Sequence, residues 1–205
     1  MQVSRRFFHG RVVLTDHSTL TLFFLSGCFL LGALLGHCAA GTESVLQNRE
    51  LQDYLAAFVS MIQRHELVSS SMGYTLFSYC KYPILVFAFG FTSFGIFLIP
   101  AVTVYQGFAT SFAVSAFLYS APEYGFLLAL LLFGLRCAVV LPCFFLLARD
   151  AVASSAKLPA RRQGKNDSGI VTEYAVLRFA LCMLFLFVGA FLEHTFLPDL
   201  LFAVA

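Results

Sequence analysis

YPILVFAFGFTSFGIFLIPAVTVYQGFATSFAVSAFLY, residues 82–119, runs for 38 residues without an Asp, Glu, Lys, Arg or His. As a single straight helix it would rise about 57 Å at 1.5 Å per residue. A bilayer's hydrocarbon core is about 30 Å thick, so one crossing is too few and two fit. Pro100 stands near the midpoint. The stretch therefore predicts a tight helical hairpin, with spans over 82–99 and 102–119 that meet near Pro100.

The rest of the chain agrees with a membrane setting. Of 205 residues, 60% are hydrophobic and 12% charged, and Phe occurs 25 times. A soluble domain carries about 25% charged residues and could not cover this chain with polar surface. Further apolar runs cover approximately 19–40, 125–148 and 177–202. Together with the hairpin they predict an all-α integral membrane protein, a single domain over 1–205 with about five transmembrane helices. The first run follows basic residues as a signal peptide would, but it continues apolar past Cys28 and reads as an uncleaved helix.

Two connections stand out. In 48–66, Leu51, Tyr54, Leu55, Phe58 and Ile62 recur at helical spacing, with Arg49, Asp53, Gln63 and Arg64 between them. That pattern predicts an amphipathic helix, lying on the membrane surface or packed on the bundle, with Leu51, Tyr54, Leu55 and Phe58 as candidate partner-docking residues. The second connection, 149–176, is basic and reads as a loop.

Charge distribution orients the chain. Arg5, Arg6, Arg11, Arg149, Lys157, Arg161, Arg162, Lys165 and Arg178 fall on one side of a five-span arrangement, and Arg49, Arg64 and Lys81 on the other. Basic segments beside spans stay in the cytoplasm. The expectation is a cytoplasmic N terminus and an extracytoplasmic C terminus. A re-entrant hairpin at 82–119 would leave the same bias.

Small residues mark helix contacts. Gly32 and Gly36 form a GxxxG pair, and Gly107, Ser111 and Ser115 recur every four residues. Both patterns let another helix approach closely. Of the six cysteines none forms a CxxC pair, and most sit in apolar runs as small core residues; a Cys38–Cys80 disulfide is the alternative for that pair.

Arg136 and Glu193 are the ionisable residues deepest in apolar runs. Each calls for a partner or a wet cavity. Their depths allow an Arg136–Glu193 pair. Alternatively, Arg136 meets backbone carbonyls and Glu193 reaches outward, or Glu193 and His194 relay protons. No phosphate loop, nucleophile–base arrangement or metal-ligand spacing is visible, so no catalytic residue, metal or cofactor is expected, nor any nucleic-acid partner.

The block FGFTSFGIFLIPAVTVYQGFATSFAVSAF, 89–117, with Gly90, Gly95, Pro100 and Gly107, resembles the stage II sporulation protein M family of bacterial membrane proteins. The Leu141-Pro142 step and the segment from Gly189 through Glu193 to Pro198 resemble it too. Arg136 departs from the pattern, since family members carry uncharged polar residues near that step. The resemblance implies a non-enzymatic scaffold in the bacterial cell membrane. It would anchor or localise cell-wall-remodelling proteins, the stage II sporulation proteins D and P, during engulfment of the forespore. The alternative is a transporter or permease subunit, for which Arg136, Glu193 and the Gly107–Ser115 stripe would supply the polar pathway.

Overall fold

The computed structural model describes residues 3–42, 49–63, 71–120, 125–161 and 169–204. All regular elements among them are helices: α1 (Val3–Ala40), α2 (Arg49–Gln63), α3 (Met72–Phe89), α4 (Gly95–Ser120), α5 (Gly125–Ala129), α6 (Leu135–Arg161) and α7 (Gly169–Val204). A π-helical turn, Leu130–Gly134, joins α5 to α6. Stretches within α1, within α4, from the π turn into α6, and within α7 are each long and apolar enough to cross a membrane. Their outward faces carry large apolar side chains, among them Phe23, Leu34, Phe97 and Leu184. That is the surface a bundle presents to lipid.

The tightest contact joins α1 to α4. Gly32 lies against the backbone of Val104, Gly36 against Phe108, and Gly107 against Phe29. A Cβ at these positions would fall 2.0, 2.4 and 2.2 Å from the facing carbonyl oxygens. Only glycine permits that approach, and the gain is backbone-to-backbone dispersion along two turns. Farther along, His37 Nδ1 lies 2.8 Å from Ser115 Oγ. From Leu25 with Ile99, through Gly32 with Val104 and Gly36 with Phe108, to His37 with Ser115, the numbers rise together in both helices, so α1 and α4 run parallel. The small-residue stripe is thus a helix-packing surface, with Ser115 buried and Ser111 half-buried.

Parallel neighbours need a return between them, and α3 provides it. Its 18 residues rise about 27 Å, close to the hydrocarbon thickness. It is less apolar than the four long spans because it carries Lys81, yet it is central. Val86 of α3 packs with Leu25, Ile99, Phe144, Ala148 and Ala151. Tyr79 and Cys80 pack with Val140, Cys143, Leu186 and Ala190. Both clusters thus draw on α3, which touches α4, α6 and α7.

The hairpin exists, but its turn is displaced from Pro100 and occupies 90–94, with Pro100 inside α4. The reversal sits where the polar groups of a turn can be satisfied within an apolar bundle. Gly95 N–H donates to Thr92 O at 3.1 Å, and Thr92 Oγ1 donates to Phe89 O at 2.9 Å. Ser155 Oγ of α6 donates to Thr92 O at 2.7 Å. Gly95 is pressed so close to Phe89 that a Cβ would lie 2.2 Å from its carbonyl oxygen. Gly90 abuts the Ala151 backbone of α6. Pro100 costs α4 one hydrogen bond, a cost that membrane helices tolerate. The spans accordingly differ from 82–99 and 102–119: the first starts at Met72, so Lys81 lies within it.

The basic segment is also more helical than expected. α6 continues to Arg161, which places Arg149 and Lys157 on a helix, and α7 begins at Gly169. Residues 162–168, with Arg162 and Lys165, lie outside the described residues, as does Arg64. Asp150 joins the two helices here. It accepts from Arg149 Nη2 at 2.8 Å and from Arg178 Nη1 at 3.0 Å. Pro142 stands on the outer face of α6, and Pro198 falls in α7, its side chain outside the described ones. All six cysteines are free thiols, with Cys80 and Cys143 buried and Cys38 exposed.

The glycine contact predicts a graded response. Gly32→Ala and Gly107→Ala should each destabilise the bundle by about 1–3 kcal/mol through overpacking. Gly27→Ala, which meets nothing within 4 Å, should be neutral or slightly stabilising. Thermal unfolding in detergent would show the difference, and equal behaviour of all three would remove the contact.

Candidate functional site: a tyrosine-bridged charge pair beside a polar cavity

Tyr79, Arg136 and Glu193 come together from α3, α6 and α7. The Tyr79 ring is fully buried. Its hydroxyl donates to Glu193 Oε2. The Arg136 guanidinium lies over the same ring, its Cζ 5.1 Å from the centroid. The two opposite charges thus meet through Tyr79 and do not form an ion pair with each other. The carboxylate gains a hydroxyl donor and the guanidinium gains the π face of the ring. This arrangement replaces both the direct pair and the outward-reaching glutamate. His194, next to Glu193, is half-buried on α7.

The local sequence explains the placing. Tyr79 and Pro83 are four apart on the buried face of α3. Arg136 follows the π turn, where five residues per hydrogen-bonded step shift the phase of the helix. Glu193 lies one turn after Gly189 on α7, and Gly189 packs against Val139 of α6. A cation at mid-bilayer costs about 2.5–3.5 kcal/mol on insertion scales, so the Tyr79 stack offsets only part of that cost.

Arg136 also borders a cavity of about 170 Å³ between α3, α4 and α6. Ser78, Lys81 and Tyr82 line it from α3, Gln106 and Thr110 from α4, and Arg136 and Cys137 from α6. Lys81 Nζ lies 4.7 Å from the centroid of the Tyr82 ring. Gln106 is only 7% exposed. Its Oε1 is buried with no hydrogen-bond partner among the described residues. Sequence reading reached Arg136 and Glu193 from their charge in apolar runs. It missed Tyr79, Lys81 and Gln106, because the hairpin was begun at Tyr82 and a glutamine in a span has no periodic signature. Among the described residues no three His, Cys, Asp or Glu side chains are grouped to hold a metal.

Helix α2 forms a separate surface. Leu55 is buried at 4% exposure, whereas Tyr54 is 68% and Met61 48% exposed. Leu55 is buried on a helix that touches α4 and α7, so it is not available to a partner, which corrects its assignment as a docking residue. Leu51 is half-buried, and the Phe58 side chain lies outside the described ones.

Tyr79→Phe should cost about 1.5–3 kcal/mol of stability, the range for a hydrogen bond to a charged group. Glu193→Gln should cost less in the Tyr79→Phe background than alone, and a double-mutant cycle on thermal unfolding would read the coupling. Strict additivity would contradict the bridge.

A protein-family model described as stage II sporulation protein M matches residues 23–197. No curated protein matches the chain. No solved structure matches it either.

Proposed function

Because the chain belongs to the stage II sporulation protein M family, and is thereby a sporulation-related membrane protein, we propose that it is a non-enzymatic scaffold. It holds peptidoglycan-remodelling partners at the membrane during engulfment. The partners implied by the family resemblance are the stage II sporulation proteins D and P. The observation that carries this reading is the divided surface of α2. Leu55 fixes the helix to the bundle while Tyr54 and Met61 face away from it. An exposed aromatic and a methionine on a seated helix are suited to anchor a partner.

Orientation supports the same reading. Arg149, Lys157, Arg161 and Arg178 stand at the end of the bundle where α6 finishes and α7 begins. The 90–94 turn and the N-terminal part of α1 belong to that end as well. The positive-inside rule assigns it to the cytoplasm. Helix α2 lies between the far ends of α1 and α3, on the side where the wall is built, and the C terminus is extracytoplasmic.

A transport role would need a polar path through the bundle. The Gly107–Ser115 stripe cannot line one, since α1 covers it.

Tyr54→Glu and Met61→Glu should each weaken co-purification of the wall hydrolases about tenfold, the equivalent of roughly 1.4 kcal/mol, without lowering the melting temperature. Leu55→Ala should instead lower the melting temperature. Deleting the gene should stall engulfment, and the purified chain should release no fragments from peptidoglycan. Unchanged co-purification in both glutamate variants would remove α2 from the docking role.

A further inference from the structure

The cavity between α3, α4 and α6 has an unusual balance of charge and hydrogen bonding. Two cations, Lys81 and Arg136, border it. Among the described residues neither has a carboxylate within ion-pairing distance. Glu193 is bonded to the Tyr79 hydroxyl, and the Tyr79 ring lies beneath the guanidinium. Guanidinium carries five N–H donors, and Arg136 has no hydrogen-bond acceptor among the described residues. Opposite, the buried Gln106 Oε1 is an acceptor with no donor. Thr110 adds a hydroxyl, although it donates to Gln106 O at 2.8 Å and so offers the cavity only its acceptor capacity.

Donors without acceptors and an acceptor without a donor, around one space, specify complementary chemistry. We propose that this cavity binds a phosphate ester whose neighbouring hydroxyl or ammonium supplies a hydrogen-bond donor. Arg136 grips two phosphate oxygens through its planar fork, and Lys81 adds a point charge at the rim. Gln106 Oε1 accepts from the hydroxyl or ammonium. The low dielectric around the site strengthens each of these contacts. A volume of about 170 Å³ exceeds the roughly 150 Å³ that accepts a benzene-sized guest, so a phosphate group fits. The cavity is partly open, so the rest of the ester can leave through the open side. The site is separate from α2, and the proposal stands or falls independently of wall-enzyme docking.

Glycerophosphate chemistry could arrive as a lipid headgroup or as a soluble ester, and one experiment separates them. The full chain in detergent is loaded with phosphatidylglycerol, phosphatidic acid or phosphatidylcholine, and retained lipid is counted by native mass spectrometry. Glycerol 3-phosphate serves as soluble competitor, with sulfate as control. Wild type should retain phosphatidylglycerol about tenfold better than phosphatidylcholine, and Lys81→Gln and Arg136→Gln should each remove most of that preference, a loss of about 1.4 kcal/mol per tenfold. Lys81 is exposed, so its variant keeps the fold intact, and Arg136→Lys should restore part of the binding. Gln106→Met should lower phosphatidylglycerol retention to the level of phosphatidic acid, which lacks the headgroup hydroxyl. Displacement by glycerol 3-phosphate but not by sulfate identifies a soluble ester as a ligand of the same site. Retention without displacement identifies the lipid. Phosphatidylglycerol retention that is the same in wild type, Lys81→Gln and Arg136→Gln, with no specific displacement by glycerol 3-phosphate, overturns the proposal.

Discussion

The bundle depends on the glycine-mediated approach of α1 to α4. At Gly32, Gly36 and Gly107 two helix backbones touch without side chains between them. In lipid, where burial of apolar surface gains little, such contact is a main source of helix association. Its direction matters as much as its closeness. Two helices that run parallel cannot be joined by a short turn, so the chain must pass back along the bundle. The polar-tolerant α3 makes that passage, packed with one face on α4, α6 and α7 and exposing Tyr74, Phe77 and Ile84 on the other. The face packed on these helices holds Tyr79 and a buried Thr75, whereas Lys81 lies on the exposed side of α3 at the cavity rim.

From that placement the polar features follow. Because α3 is central, Tyr79 can bridge Glu193 on one neighbour and stack beneath Arg136 on another. The same placement turns Lys81 and Ser78 toward Gln106 and Thr110 of α4 across the cavity. Structure and polarity are therefore one design: the closest backbone contact in the bundle uses small residues, and the charged groups gather where the packing opens. The scaffold surface is elsewhere, on α2, where Leu55 is fixed to the bundle and Tyr54 and Met61 are presented outward.

Much of this was legible in the chain. The apolar runs predicted the membrane class, the 3.6-residue periodicity predicted α2, and the small residues predicted the helix contact at the right positions. The family block around Gly90, Gly95, Pro100 and Gly107 agreed with the family-model match. The hairpin's turn was misplaced for a physical reason. Charged residues do not mark the span ends here, since Lys81 lies within one. Pro100 looked like a reversal because proline breaks helices in water, whereas the actual turn relies on Ser155 and Ala151, more than fifty positions downstream. Long-range partners of this kind leave no local mark. The Arg136–Glu193 relationship was half visible: depth brought the two residues near each other, but the tyrosine between them belonged to a helix whose start had been set too late.

The parallel pairing of α1 with α4 can be tested by cross-linking in membranes, in a chain whose six cysteines are replaced by serine. His37 and Ser115 are in hydrogen-bonding contact. If the helices ran antiparallel about the same Gly32–Val104 contact, His37 would instead stand beside Ile99. A His37→Cys, Ser115→Cys chain should be joined efficiently by a short thiol-to-thiol reagent, and a His37→Cys, Ile99→Cys chain should not. Cross-linking of the second pair in preference to the first would contradict the parallel contact, and with it the central position of α3.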